Sequence, residues 1–284
     1  MADKARIGII GTGWWATTAH FPSVQAHPKA ELVAAADVRP DILGKAGDKY
    51  GVANTYTDYK QMIDTENLDG VVVAVWHAEH HPVARACLES GLNVMLEKPM
   101  VLRAAHAREL VQLAQRNKRE LIIGYPWHFT AHTLRAREVV QSGELGRVLF
   151  VNSTFASAVL QFLRGDDKSY EAVFGYPVHG PGDVYADIEK SGGGQGHLQV
   201  THSAALALFV TGLKPVSAKS FFRSSISDAR QNTAIISEAT VISKPLCLGI
   251  PLPTPPRPQV ISLKDLSFIS TTLFQVILLG SIFN

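Results

Sequence analysis

The chain has 284 residues, 46% of them hydrophobic and 18% charged, with a formal net charge of +2. That length holds one large domain or two of ordinary size, and the near-neutral balance excludes a general electrostatic pull toward nucleic acid or membrane surfaces. Cys87 and Cys247 are the two cysteines and stand far apart, which excludes a disulfide framework and fits a reducing compartment.

The N-terminus passes from a short charged lead straight into an apolar run, without the long apolar stretch and cleavage site of a signal peptide, so the cytoplasm is the expected location. Arg6–Ile10 reads as a strand, followed by a glycine turn and a helix reaching about His27. Leu32–Ala36 reads as a second strand ending at Asp37, and Arg39–Tyr50 as a helix closed by Gly51. Val71–Val75 is a continuous apolar run, β-branched except at Ala74, the pattern of a strand buried on both faces. Pro82–Ser90 is helical and stops at Gly91; then come a strand at Asn93–Leu96, a helix at Ala104–Asn117 and a strand at Glu120–Ile123. Strands alternating with helices imply parallel pairing with helices on both faces. The expected fold class is α/β: a doubly wound parallel sheet of the Rossmann type over residues 1–123.

The rhythm changes after Gly124. A helix over Thr130–Ser142, a strand at Arg147–Ala156, a long loop over residues 161–197, a helix at Val200–Val210 and a strand near Val216–Phe222 outline an α+β substrate domain over residues 124–242. That domain is expected to be incomplete. Residues 243–284 form a tail of different character: six prolines fall between Pro245 and Pro258, and Leu266–Asn284 carries no charge. The near-spanning length of that end suggests a membrane anchor, but its Ser, Thr and Gln content and the missing basic flank argue against one.

The segment Gly11-Thr12-Gly13-Trp14-Trp15-Ala16 supplies G-x-G-x-x-A directly after the first strand. Gly11 permits the tight turn, Gly13 lets the backbone approach a pyrophosphate at a helix N-terminus, and Ala16 allows close helix–strand packing. Asp37, at the end of the next strand, stands where an acid accepts hydrogen bonds from the adenosine ribose. Arg39 is placed instead to pair with a 2′-phosphate. The expected cofactor is therefore NAD or NADP, held by Gly11, Thr12, Gly13, Asp37 and Arg39. Trp14 and Trp15 either flank the dinucleotide or pack at a domain interface.

Glu97-Lys98-Pro99, at the end of another strand, together with Val71–Val75, His80, Cys87-Leu88-Glu89-Ser90-Gly91, Thr57-Asp58-Tyr59 and Gly143-Glu144-Leu145-Gly146, resembles the glucose–fructose oxidoreductase/inositol dehydrogenase/rhizopine-catabolism (Gfo/Idh/MocA) family over roughly residues 4–222. The resemblance implies an NAD(P)-dependent oxidoreductase acting on the CH–OH group of a sugar, polyol or related compound. It implies that Lys98 is the active-site lysine between nicotinamide and substrate, and that Val75, His80 and Glu97 lie by the cofactor. A cis peptide before Pro99 is expected, since cis bonds are largely confined to X-Pro.

The stretch from Ser191 to His202 resembles the family's glycine-rich entry into a helix bearing the catalytic histidine, and His202 takes that position. An imidazole titrates near neutrality and can accept the hydroxyl proton as hydride leaves the same carbon. Many relatives carry D-x-G-x-H here. This chain has Leu198 and Val200 in place of the aspartate and glycine, with Gln199 the nearest polar substitute and a candidate substrate contact. Tyr125 and His128 either line the substrate pocket or pack the domain interface. His77, His80 and His81 do not complete a metal set, so no metal is expected.

Family members run well past 300 residues and close the substrate domain with a large sheet, which often makes dimers or tetramers. Here the tail is expected not to be the family's C-terminus, leaving the sheet short of strands; a homo-oligomer is expected only if the sheet is complete. Two other functions fit the same scaffold, since a fold does not determine its function: a non-catalytic NAD(P)-binding sensor and an NAD-assisted glycosidase.

Overall fold

The computed structural model describes residues 4–153, 187–192, 194–224 and 234–242. They belong to two compact units: the first runs to Gly124 and takes in residues 187–192, and the second holds residues 125–153 and the described residues from Gln195 onward. Most of the loop expected over 161–197, and the tail from residue 243, lie outside the described residues.

The first unit is built on six parallel strands: β1 (Ala5–Ile10), β2 (Ala30–Ala36), β3 (Asn54–Tyr56), β4 (Gly70–Val73), β5 (Asn93–Glu97) and β6 (Leu121–Gly124). Their order is β3-β2-β1-β4-β5-β6, so the chain reverses its winding direction between β1 and β4. Successive side chains of a strand point to opposite faces, and two cores result. Ile10, Ala34, Ala36, Val71, Val73, Val94 and Leu96 join one core, whereas Ile9, Ala35 and Val72 join the other.

Helices cover both faces, as the expected doubly wound sheet requires. Met62 of α3 (Tyr59–Thr65), Val83, Ala84, Cys87 and Leu88 of α4 (His80–Glu89), and Leu110, Leu113 and Ala114 of α5 (Ala104–Asn117) seal the first core. Phe21 of α1 (Phe21–Ala26) and Leu43 and Ala46 of α2 (Pro40–Tyr50) seal the second. The end of α2 is set by Gly51, at φ +65°, a left-handed cap that only glycine adopts without strain. Asp58 caps α3 by accepting from the Lys60 N–H at 2.9 Å. Neither β3 nor α3 was expected from the sequence, being too short for a periodicity signal.

The helix expected to continue regularly to His27 departs from that form. Residues Ala16–His20 form a π-helix, with the Phe21 N–H bonded to the Ala16 carbonyl, before α1 resumes.

In the second unit, a 3₁₀ turn at Pro126–Phe129 leads into α6 (Ala131–Gln141). After the short α7 (Ile188–Ser191), which belongs to the first unit, the long α8 spans Gly194–Thr211. It starts six residues before the expected Val200. Glycines at 194 and 196 read as breakers, yet each costs only about 1 kcal/mol in a helix, which the cooperativity of a long helix absorbs. Val140 of α6 packs with Leu206 and Val210 of α8. The end of α8 is closed by Gly212 at φ +68°, and Gln141 Nε2 donates to the Phe209 and Val210 carbonyls at 3.2 and 3.3 Å.

Strands β7 (Ser217–Ser224) and β8 (Ala234–Ile242) pair antiparallel; β8 was not expected. The strand expected at Arg147–Ala156 is not formed over residues 147–153. Val148, Leu149, Phe150 and Val151 carry strand propensity, but a strand is a property of a pair, and among the described residues nothing pairs with this run.

Candidate active site

A cleft of about 310 Å³ opens at the carboxyl ends of β1, β2, β3 and β4, the reversal point where open α/β sheets take ligands. Gly11, Gly13, Trp14, Trp15, Asp37, Arg39 and Val75, all expected from the sequence, line it.

The two glycines have different reasons. Gly11 sits at φ +90°, and a Cβ there would lie 2.5 Å from the Ala74 carbonyl oxygen, so the fold itself demands glycine. A Cβ on Gly13 would meet nothing nearer than Arg39 Nη2 at 3.9 Å. Packing does not require Gly13, but its absent side chain leaves the main chain bare at the start of the helix. A pyrophosphate needs that bare approach to helical N–H groups, so the residues present fit a dinucleotide.

Thr12, wholly buried, ties the turn to Asp37: its N–H and Oγ1 donate to Asp37 Oδ2 at 2.8 and 3.1 Å. Arg39 Nε donates to Oδ1 and Nη2 to Oδ2, both at 3.0 Å, and the Arg39 N–H reaches Oδ1 at 3.0 Å. Burial works against the Asp37 charge, but the hydrogen bonds and charge of Arg39 and the Thr12 N–H outweigh it and hold its pKa below the ordinary value. Both carboxylate oxygens are thus engaged by the protein.

Behind the glycine turn lies a buried cluster that includes one residue the sequence reading missed. Glu97 Oε1 accepts from Trp15 Nε1 at 2.7 Å and faces His20 Nε2 at 2.8 Å, while Oε2 accepts from the Lys98 N–H at 3.1 Å. Trp15 and His20 are five residues apart, and the π-helix between them brings both rings to one oxygen. In an α-helix that spacing would point them apart. Burial opposes the Glu97 charge, yet the bond and charge of His20, the Trp15 N–H and the Lys98 charge leave its pKa lowered. Lys98 is half-buried, and its partial desolvation lowers its pKa against the opposing charge of Glu97. The Lys98–Pro99 bond is cis, as expected.

His80, expected beside the cofactor, is wholly buried. Nδ1 lies 2.7 Å from the Pro99 carbonyl oxygen and Nε2 3.1 Å from that of Val75. Thr57, Tyr59, Trp76, His77 and Glu79 also line the cleft; each follows the end of β3 or β4, and that position was the available signal. His77 Nδ1 contacts the Ser191 carbonyl oxygen at 2.9 Å. Among the described residues no group of three or more His, Cys, Asp or Glu is placed to hold a metal ion, and no helix is long and apolar enough to cross a membrane.

The second unit gathers Tyr125, Trp127, His128 and His202. Tyr125 Oη and Thr201 Oγ1 are 2.6 Å apart. The ring of His202, a buried residue, lies 4.5 Å from that of Trp127. His128 stacks on Phe209 at 4.3 Å and nearly parallel, and on Tyr125 at 5.2 Å. Burial and the charge of Arg137 lower the His128 pKa against the Ala205 carbonyl. Gln199 is half-buried on α8.

Residues 5–125 match the family model for Gfo/Idh/MocA proteins, described as an oxidoreductase family with an NAD-binding Rossmann fold. The chain is 26% identical over 169 residues to the D-xylose 1-dehydrogenase [NADP(+)] of Haloarcula marismortui, covering 58% of this chain and 47% of that protein. It is 30% identical over 142 residues to the myo-inositol 2-dehydrogenase of Thermotoga maritima, covering 50% of this chain and 42% of the relative. The crystal structure of the aldose–aldose oxidoreductase from Caulobacter crescentus, complexed with glycerol, superposes with a TM-score of 0.64 at 25% identity, over 80% of this chain and 64% of that one. The chain spans about half the length of the curated relatives it matches.

Proposed function

From a chain whose residues 5–125 carry the NAD-binding Rossmann fold of the Gfo/Idh/MocA oxidoreductase family, we propose an NAD(P)-dependent dehydrogenase acting on the CH–OH group of a small sugar, polyol or related compound. The observation that carries this is the pairing of a dinucleotide-fitting cleft at the sheet's reversal point with Lys98, half-buried beside Glu97 just past the end of β5. The named relatives act on D-xylose and myo-inositol, which supports the substrate class.

When bound, the nicotinamide supplies the hydride acceptor or donor. The bare main chain at Gly13 holds the pyrophosphate, and Thr12 keeps the turn in place through Asp37. Trp14, Trp15 and Val75 shape the cleft wall, and Glu97 holds the Lys98 main chain. Lys98 holds the substrate oxygen, its ammonium polarising the C–O bond. His202 accepts the hydroxyl proton, with Tyr125, His128 and Gln199 as substrate contacts. Protein groups already fill the Asp37 carboxylate, so a ribose hydroxyl enters only if Arg39 gives up a bond. The same movement would send Arg39 to a 2′-phosphate. A reducing cytoplasm fits two cysteines without a framework.

The test follows nicotinamide absorbance and fluorescence over a panel of sugars and polyols. Net NAD(P) reduction with at least one is expected; product without net reduction would mean an NAD-assisted glycosidase, and binding without turnover a sensor. NAD and NADP titrations of Arg39→Ala and Asp37→Ala assign the two residues. Arg39→Ala is expected to weaken NADP more than NAD, and unchanged NAD affinity in Asp37→Ala would remove the ribose contact.

A further inference from the structure

His80 belongs to α4 but does not line the cleft, and its two ring nitrogens face two carbonyl oxygens from different strand ends. Nδ1 reaches Pro99 at 2.7 Å, and Nε2 reaches Val75 at 3.1 Å. Val75 is part of the cleft wall, and Pro99 follows Lys98. A carbonyl oxygen only accepts, so each contact needs an N–H from the ring. A neutral imidazole has one N–H and one bare nitrogen; only the imidazolium donates from both.

We propose that His80 is a positioning residue, an internal strap between the cleft wall at Val75 and the Lys98–Pro99 turn, complete only when the ring carries both protons. The shorter contact decides which bond survives deprotonation: the proton stays on Nδ1 for Pro99, and the Val75 carbonyl is released. The Lys98 turn is thus held at every pH, whereas the wall is tethered only in acid.

The ionisable groups facing the ring are His77, whose ring lies 5.4 Å away, and Glu97, whose charge favours the imidazolium. His81, the next residue, pairs instead with Glu109 at 3.0 Å. Burial pulls the His80 pKa down, and the main-chain groups of Pro99, Val75 and Met100 together with the charge of Glu97 resist it without reversing it. The second bond therefore forms only below the ordinary histidine range near 6.5. This assignment replaces a direct cofactor contact for His80, and its functional consequence rests on the dehydrogenase reading.

The test is two-bond ¹H–¹⁵N correlation on the full chain labelled with ¹⁵N-histidine, His80 being identified by its loss in His80→Gln. At pH 8 the expected pattern is a protonated Nδ1 and a bare Nε2, passing on acidification to two protonated nitrogens. A proton on Nε2 in the neutral form, or a ring that takes up no second proton down to pH 4.5, overturns the strap.

NAD titrations by tryptophan fluorescence supply the second readout. The wild type is expected to bind about two- to tenfold more tightly at a pH where the His80 ring is seen to carry both protons than at pH 7.5, the worth of one hydrogen bond, and His80→Gln to flatten that dependence. An equal pH dependence in the variant overturns the positioning role. If His80 titrates as stated but no nicotinamide dinucleotide binds at any pH, the bonding scheme stands and the dehydrogenase reading is what fails.

Discussion

Lys98 and His202 carry separate duties in the proposed reaction, and each has a substitution that removes the duty while preserving bulk. Lys98→Met keeps the chain length without the ammonium; His202→Asn keeps a polar group that cannot take up a proton near neutrality. General acid–base groups are worth about 10²- to 10⁴-fold in rate. Either variant is therefore expected to lose kcat by that order while NAD affinity changes little. Steady-state kinetics beside a cofactor titration checks this, and a His202→Asn enzyme with undiminished kcat would take the proton away from that residue. Lysine and histidine were legible as candidates because the motifs around them are local. The state of each side chain was not: the burial that lowers the Lys98 pKa comes from strands and helices distant in sequence.

At the scale of elements, the π-helix at Ala16–His20 shows how a local irregularity serves a distant strand. It brings Trp15 and His20 together on Glu97 Oε1, and so ties the glycine turn to the strand end that bears Lys98. Trp15→Phe keeps most of the ring but removes the Nε1 donor. A hydrogen bond to a charged group contributes about 1.5–3 kcal/mol; Trp15 being 37% exposed, a loss of about 1 kcal/mol in urea unfolding is expected. No measurable change would mean that water replaces the bond at no cost. The sequence implies one helical stretch to about His27, because residues 16–20 carry no mark of a π turn. Its partner, the buried Glu97 carboxylate, lies about eighty residues further on.

For the whole molecule, the buried acids of the first unit set its response to pH. Asp37 and Glu97 both have lowered pKa values in the fold. A carboxylate with a depressed folded pKa adds stability above its unfolded value, and that stability is lost as pH falls through the folded pKa. The chain is therefore expected to lose stability steadily below about pH 4.5, the upper end of the ordinary carboxylate range. Urea midpoints between pH 6 and pH 3 measure the slope, and the Asp37→Asn, Glu97→Gln double variant should flatten it. A variant with the wild-type slope would place the acid sensitivity elsewhere.

The alternation of strand and helix, the glycine turn, Asp37 and the Glu97-Lys98-Pro99 triplet are matters of local spacing and β-branched or apolar periodicity. The sequence by itself therefore determined the doubly wound unit and most of its cleft. Tertiary structure alone decided that Arg39 folds back onto Asp37, that His20 joins Glu97, that the buried His80 ring faces the carbonyl oxygens of Pro99 and Val75, and that residues 147–153 do not become a strand. Each of these depends on a partner brought close by the sheet or withheld by it. Hydrogen bonds, burial and strand pairing belong to pairs of groups, and a linear pattern specifies only one member of each pair.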